Sequence, residues 1–167
     1  PIGVASIGFG SLPFVTRLFS QEDIGRIAMF HIATNMCILL FGLGLDQAYV
    51  REYHETTNKV ALLKEVLLPG FLLLIGFISL IELSSLSIAE ILFDVRAVVL
   101  EVLIITGIFV NFLSRFLLLA LRMKERAFTY SINQILPKLI FLAIIFSYIL
   151  FDFETTFAKL LTAHVVS

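Results

Sequence analysis

The sequence predicts an all-α fold, a polytopic transmembrane helical bundle, and three observations predict it. The 167-residue chain is 59% hydrophobic and 15% charged, against about 45–50% and about 25% in an ordinary soluble domain. Its mean hydropathy is +1.02. Its apolar residues fall in long runs without the two-residue alternation of a β-barrel. A soluble domain of this length has too little interior to hide so much apolar surface, which excludes a soluble enzyme, a nucleic-acid binder and a disordered chain. The net charge of −1, from 12 Lys+Arg and 13 Asp+Glu, offers no basic surface to nucleic acid. The single cysteine, Cys37, lies in an apolar run, so neither a disulfide framework nor a thiolate metal cluster is expected. Metal-ligand spacing and phosphate-cradling glycine loops are missing from the sequence, so no metal and no cofactor are expected, and no catalytic constellation stands out.

A crossing helix needs about 20 apolar residues to cover about 30 Å of hydrocarbon. By that measure the spans are expected at 1–16, 27–50, 60–81, 98–121 and 131–151, with a sixth opening at 157–167. Span four is interrupted by Glu101 and Arg115, and span five by Lys138. The chain opens on Pro1 and stops at Ser167 inside apolar runs, so it reads as one partial transmembrane domain, 1–167, cut at both ends. Further spans follow the first, which argues against a cleaved signal peptide. The connections are short and charged, which predicts antiparallel neighbours in up-down hairpins. Ser20 to Asp23 places a cap and acids before span two, and Thr56 to Asn58 precedes span three.

Sidedness follows the cations. Arg51, Lys59, Lys64, Arg115, Arg122, Lys124 and Arg126 gather at loops two and four. Arg17, Arg26, Arg96 and Lys159 are spread over loops one, three and five. The bias puts loops two and four, and the N-terminus, in the cytoplasm.

Side chains on a helix fall 100° apart, so position predicts facing. On span one, Gly3, Ser6, Gly10, Pro13 and Arg17 share about 80° of arc. On span two, read as one continuous helix, His31, Asn35, Gly42, Asp46, Tyr49 and Tyr53 share about 60°. On span four, Glu101, Asn111, Arg115, Arg122 and Arg126 share about 80°. On span five, Tyr130, Asn133, Gln134, Pro137 and Lys138 spread over about 140°. Span three has no polar face and is expected to be the lipid-facing helix. Lipid satisfies no polar group, so the stripes should face other helices or a watery cavity. Both readings stand here: helix–helix glue through small residues and Asn or Ser, or the lining of a passage. His31 is either a satisfied core histidine or a pH sensor, and Asp46 either pairs with Arg51 or Arg115 or takes part in coupling.

Lys138 lies about 18 Å along the helix from the turn at Arg126, close to mid-bilayer. A cation there costs at least about 2.5–3.5 kcal/mol on insertion scales. It either lines a cavity or sits in a structural ion pair. The adjacent Pro137 removes a backbone hydrogen bond and predicts a kink. Arg115 lies only about 10 Å inside Arg122, within easier reach of an interface. Inward cations with few midplane acids suit a negatively charged passenger.

The string from Phe14 to Phe30, with Arg17-Leu-Phe followed by Glu22-Asp-Ile-Gly25, resembles the opening hairpin of bacterial polysaccharide (O-antigen type) flippases. Phe41-Gly-Leu-Gly-Leu-Asp-Gln-Ala-Tyr-Val-Arg-Glu-Tyr53 is similar to the end of that family's second helix, and Asn111 to Tyr130 to its fourth-to-fifth hairpin. These motifs agree in order and spacing over nearly the whole chain. The family belongs to the multidrug/oligosaccharidyl-lipid/polysaccharide exporter superfamily. The resemblance implies the N-terminal lobe of a two-lobe transporter in the bacterial cytoplasmic (inner) membrane. It would carry an undecaprenyl-diphosphate-linked oligosaccharide between leaflets by alternating access, for O-antigen, capsule or exopolysaccharide synthesis. The partners it implies are the lipid-linked oligosaccharide, membrane lipids, a polysaccharide polymerase and glycosyltransferases. Substrate contacts would fall to Lys138, Arg115, Arg17, Asn111 and Asn133, with His31 and Asp46 in coupling or pH sensing. The alternatives are a multidrug or organic-cation antiporter of the same superfamily, which would want midplane carboxylates, and a membrane polysaccharide polymerase or ligase, which would want a long periplasmic loop.

Overall fold

A computed structural model of the chain describes residues 16, 19–84, 86–124, 127–150 and 157–166. Span one and its stripe of Gly3, Ser6, Gly10, Pro13 and Arg17 lie outside the described residues, apart from Thr16, as does Arg126. Every regular element among the described residues is a helix: α1 Gln21–Gly42, α2 Leu45–Glu52, α3 Lys59–Leu83, α4 Ile88–Phe93, α5 Val98–Met123, α6 Ala127–Leu150 and α7 Phe157–Val166. Four of them, α1, α3, α5 and the Thr129–Ser147 stretch of α6, are long and apolar enough to cross a membrane. Large apolar side chains such as Leu39, Leu80 and Leu83 stand exposed on them. Water would penalise such surface, and hydrocarbon would not. The chain forms two compact units, Pro1–Met29 with Ala127–Ser167, and Phe30–Arg126.

The helix starts follow the local chemistry of the sequence. Before α1, the Ser20 Oγ accepts from the Asp23 backbone N–H at 3.1 Å and donates to Asp23 Oδ2 at 2.7 Å. One turn on, Glu22 and Arg26 pair at 2.6 Å, four residues apart. Asn58 caps α3, its Oδ1 accepting from Ala61 N–H at 3.0 Å.

Span two departs from expectation. Instead of one helix to residue 50, α1 stops at Gly42, Leu43 (φ 50°) and Gly44 (φ 68°) both take the left-handed conformation, and α2 restarts at Leu45. Gly44 enters that region without strain, whereas Leu43 pays roughly 1–2 kcal/mol. Hydropathy registers Gly-Leu-Gly-Leu as one apolar run, so the break is invisible to it. The break also resets the helical phase, and the predicted single face dissolves. His31 and Asn35 are exposed, while Tyr49 and Tyr53 are buried, their rings tilted against each other at 5.6 Å.

The unit Phe30–Arg126 is held by apolar stripes. On α3, Leu62, Val66, Gly70, Leu74 and Ile78 repeat every four residues and are buried. On α5 the buried stripe includes Leu100, Ile104, Ile108, Phe112, Phe116 and Ala120. Helix α3 packs against both α2 and α5. At Gly70 the end of α1 and the middle of α5 approach so closely that a Cβ would sit 2.2 Å from the Phe41 carbonyl oxygen and 3.0 Å from Phe112 Cζ. The aromatic pairs Phe41–Phe77 (5.2 Å) and Phe71–Phe109 (5.5 Å) flank this contact. Helix α3 is therefore exposed only in part: Leu68, Leu72 and Leu80 are exposed, but one whole stripe is packed. A helix without a polar face can still pack on its neighbours, through close backbone approach and dispersion.

In the other unit, Phe19, Ile145 and Leu160 form a small core, with Ile24, Ile27 and Phe141 packed against it. The Arg26 guanidinium lies 5.5 Å from the Phe157 ring centroid, and Phe141 meets His164 edge-on at 5.4 Å.

Candidate functional site

The polar stripe of span four is carried on α5, but outside its packed face. The buried residues of α5 are wholly apolar, and Asn111 and Arg115 are both exposed. Asn111 turns its Nδ2 back to the Gly107 carbonyl at 2.8 Å, so it satisfies itself within its own helix. On α1, likewise, Phe30 and Thr34 are buried while the neighbouring His31 and Asn35 are exposed. Among these residues none is buried between helices within the unit. They stand outside an apolar interior, at its margin.

One contact joins the two stripes. Arg115 Nη2 donates to Asp46 Oδ2 at 3.1 Å across 69 residues of sequence, with the arginine side chain 51% and the aspartate side chain 27% exposed. Asp46 is positioned by the helix break at Leu43–Gly44, which opens α2 two residues before it. Its second oxygen, Oδ1, accepts from the Gln47 backbone N–H at 3.0 Å. In the first turn of α2 the carboxylate also meets the positive end of the helix dipole. Arg115 uses a single N–H here and makes no further hydrogen bond among the described residues. Of the two partners weighed for Asp46, the structure selects Arg115.

Asn133 and Lys138 belong to the other unit, on α6. Asn133 donates to the Thr129 carbonyl at 2.8 Å, and Gln134 to the Tyr130 hydroxyl at 2.7 Å. Lys138 is half-buried and has no ion-pair partner among the described residues. The His31 ring lies 6.0 Å from that of Phe30.

Two polar groupings escape sequence reasoning. At the turn into α3, the Lys59 ammonium donates to the Tyr53 carbonyl and stands 4.5 Å from the Tyr53 ring centroid. At the opposite end of α3, a cavity of about 270 Å³ is lined by Glu82, Ser87, Arg96 and Glu101 among others. Glu101 Oε1 accepts from the Ile88 N–H at 2.9 Å and Ser87 Oγ from the Glu90 N–H at 3.3 Å, so both help cap α4. Glu90 pairs with Arg96 at 2.6 Å, and that hydrogen bond and charge raise the Arg96 guanidinium above its ordinary range. Ser87-Ile-Ala-Glu90 was the available signal, a four-residue capping pattern inside a stretch read as loop. No group of His, Cys, Asp and Glu among the described residues is arranged to hold a metal ion.

No protein-family model, curated protein or solved structure matches this chain.

Proposed function

We propose that the chain is part of a bacterial inner-membrane transporter that moves an undecaprenyl-diphosphate-linked oligosaccharide between leaflets by alternating access. Its five spans and the start of a sixth would form the N-terminal lobe. The observation that carries this reading is the outward polarity of helices with apolar interiors. His31, Asn35, Asn111 and Arg115 stand exposed on segments otherwise built for hydrocarbon. Asn111 meets the Gly107 carbonyl within its own helix and Arg115 meets Asp46, yet both keep donors that lipid cannot satisfy, as does the exposed Asn35, and these call for water or a polar passenger. Lys138 adds a half-buried cation with no carboxylate to neutralise it among the described residues. A diphosphate matches such cations in sign and in hydrogen-bond capacity. The pairing of Asp46 with Arg115 weighs against an organic-cation antiporter, whose carboxylate should be free to exchange a proton for the drug. Rocking requires two lobes, so transport is expected of the full-length protein only.

The test replaces Lys138 with Ala in the full-length protein. Lipid-linked oligosaccharide should accumulate on the inner leaflet and surface polysaccharide should vanish, while membrane insertion and protein level stay normal. Undiminished surface polysaccharide would remove Lys138 from the mechanism and with it the anionic-passenger reading.

A further inference from the structure

Arg115 is already occupied by an anion, and that anion belongs to the chain. We infer that Asp46 is a built-in placeholder for the phosphate group of an incoming ligand, and thereby a specificity-determining residue of the Arg115 site. The inference rests on the transporter reading and says how its cationic site discriminates.

Four features of the pair point to a displaceable contact. It is made through one nitrogen and one oxygen at 3.1 Å, and the remaining guanidinium donors engage nothing among the described residues. A phosphate oxyanion carries more charge than a carboxylate and takes a guanidinium bidentately, so it outcompetes a one-point contact. Both side chains are open to their surroundings, which keeps the cost of separating them small. Asp46 also keeps a second home when it lets go, because Oδ1 already accepts from Gln47 N–H in the first turn of α2. Finally, the element that carries Asp46 starts at a break in the backbone, so its first turn can tilt while Tyr49 and Tyr53 stay packed. It joins α1 through Leu43 and Gly44, two successive left-handed residues whose side-chain positions are exposed or open.

The exchange is then carboxylate for phosphate at Arg115, with α2 tilting on residues 43–44 about the buried Tyr49 and Tyr53 as Asp46 is released. Monovalent carboxylate ligands would bind no better than Asp46 itself and would be rejected. A diphosphate headgroup would bind and, in binding, loosen α2 from α5. Arg122, exposed two turns further along α5, lies about 10 Å away to attract the same anion.

The experiment uses the full-length protein in nanodiscs, with Cys37 replaced by Ala and spin labels at exposed Val50 and Leu117. Inorganic pyrophosphate is the probe in phosphatidylcholine discs, with sodium acetate as the monovalent control. A second arm swaps in phosphatidylglycerol, separating a free phosphate from a lipid headgroup. Pyrophosphate should lengthen the Val50–Leu117 distance and acetate should leave it unchanged. Asp46→Asn and Asp46→Ser should show the lengthened distance without ligand and bind pyrophosphate about two- to fivefold more tightly, the range an exposed ion pair supplies. Arg115→Gln should abolish the response. If phosphatidylglycerol alone reproduces the lengthening, a lipid headgroup is the natural source of the phosphate; if it does not, a free diphosphate is. Unchanged or weaker pyrophosphate binding in both Asp46 variants would overturn the inference. So would failure of both to fold, since that would make the pair a structural tie. The transport reading falls separately, on the Lys138→Ala result, and pyrophosphate binding by Asp46→Asn does not depend on it.

Discussion

Replacing Gly70 with Ala tests the packing of the unit Phe30–Arg126 at its tightest point. The added methyl would lie 2.2 Å from the Phe41 carbonyl oxygen, 3.2 Å from the Phe41 carbonyl carbon and 3.0 Å from Phe112 Cζ. Ordinary contact needs about 3.5 Å, so α1 and α3 must part by more than about 1 Å along that line. The ring of Phe112 can tilt, but the Phe41 oxygen is backbone and cannot yield alone. Overpacking of this kind costs about 1–3 kcal/mol or more, and the helix-propensity gain of alanine over glycine returns about 1 kcal/mol at most. A net loss of about 1–2 kcal/mol is expected. Gly76, two turns on in the same helix with nothing within 4 Å of its Cβ position, is the internal control. Gly76→Ala should be neutral or stabilising by up to about 1 kcal/mol. Thermal unfolding of the full-length protein in detergent, followed by size exclusion, reads both. Equal stability of Gly70→Ala and wild type would refute the close approach of α1 to α3. Equal damage from Gly76→Ala would show that a methyl anywhere on α3 is harmful and that the Phe41 contact is not the cause.

The Thr34 hydroxyl is buried without a hydrogen-bond partner among the described residues. Thr34→Val should therefore raise stability by roughly 1 kcal/mol in the same melting assay, and a fall would reveal a partner for that oxygen. Glu101→Ala should release the Ile88 N–H and speed hydrogen exchange at that amide, while Glu101→Gln keeps an acceptor and most of the protection. A reporter enzyme fused after Glu55 should report from the cytoplasm, in line with the cation bias, and a periplasmic signal would invert the topology.

The membrane class, the approximate limits of α3, α5 and α6, and the caps at Ser20 and Asn58 were open to a reader of the sequence. Each depends on neighbours in the chain: a run of apolar residues, or a side-chain oxygen three residues from the N–H it accepts. The polar residues of the candidate site were legible as types and stripes, but their facing was not. Periodicity assigns Asn111 and Arg115 a common side of α5, yet it cannot tell whether that side is packed or open. The break at Leu43–Gly44 depends on backbone torsion, to which hydropathy is blind, and it undid the face assigned to span two.

What the amino acids determined alone is the solvent of the protein, because transfer of apolar side chains from water sums over residues whatever their arrangement. Tertiary structure decided which residues meet. Asp46 reaches Arg115 only because a helix break and two helix packings close a loop of 69 residues, and Gly70 matters only because two other helices pass over it. Contacts so distant in sequence arise from the joint geometry of several elements, and no local pattern encodes that geometry.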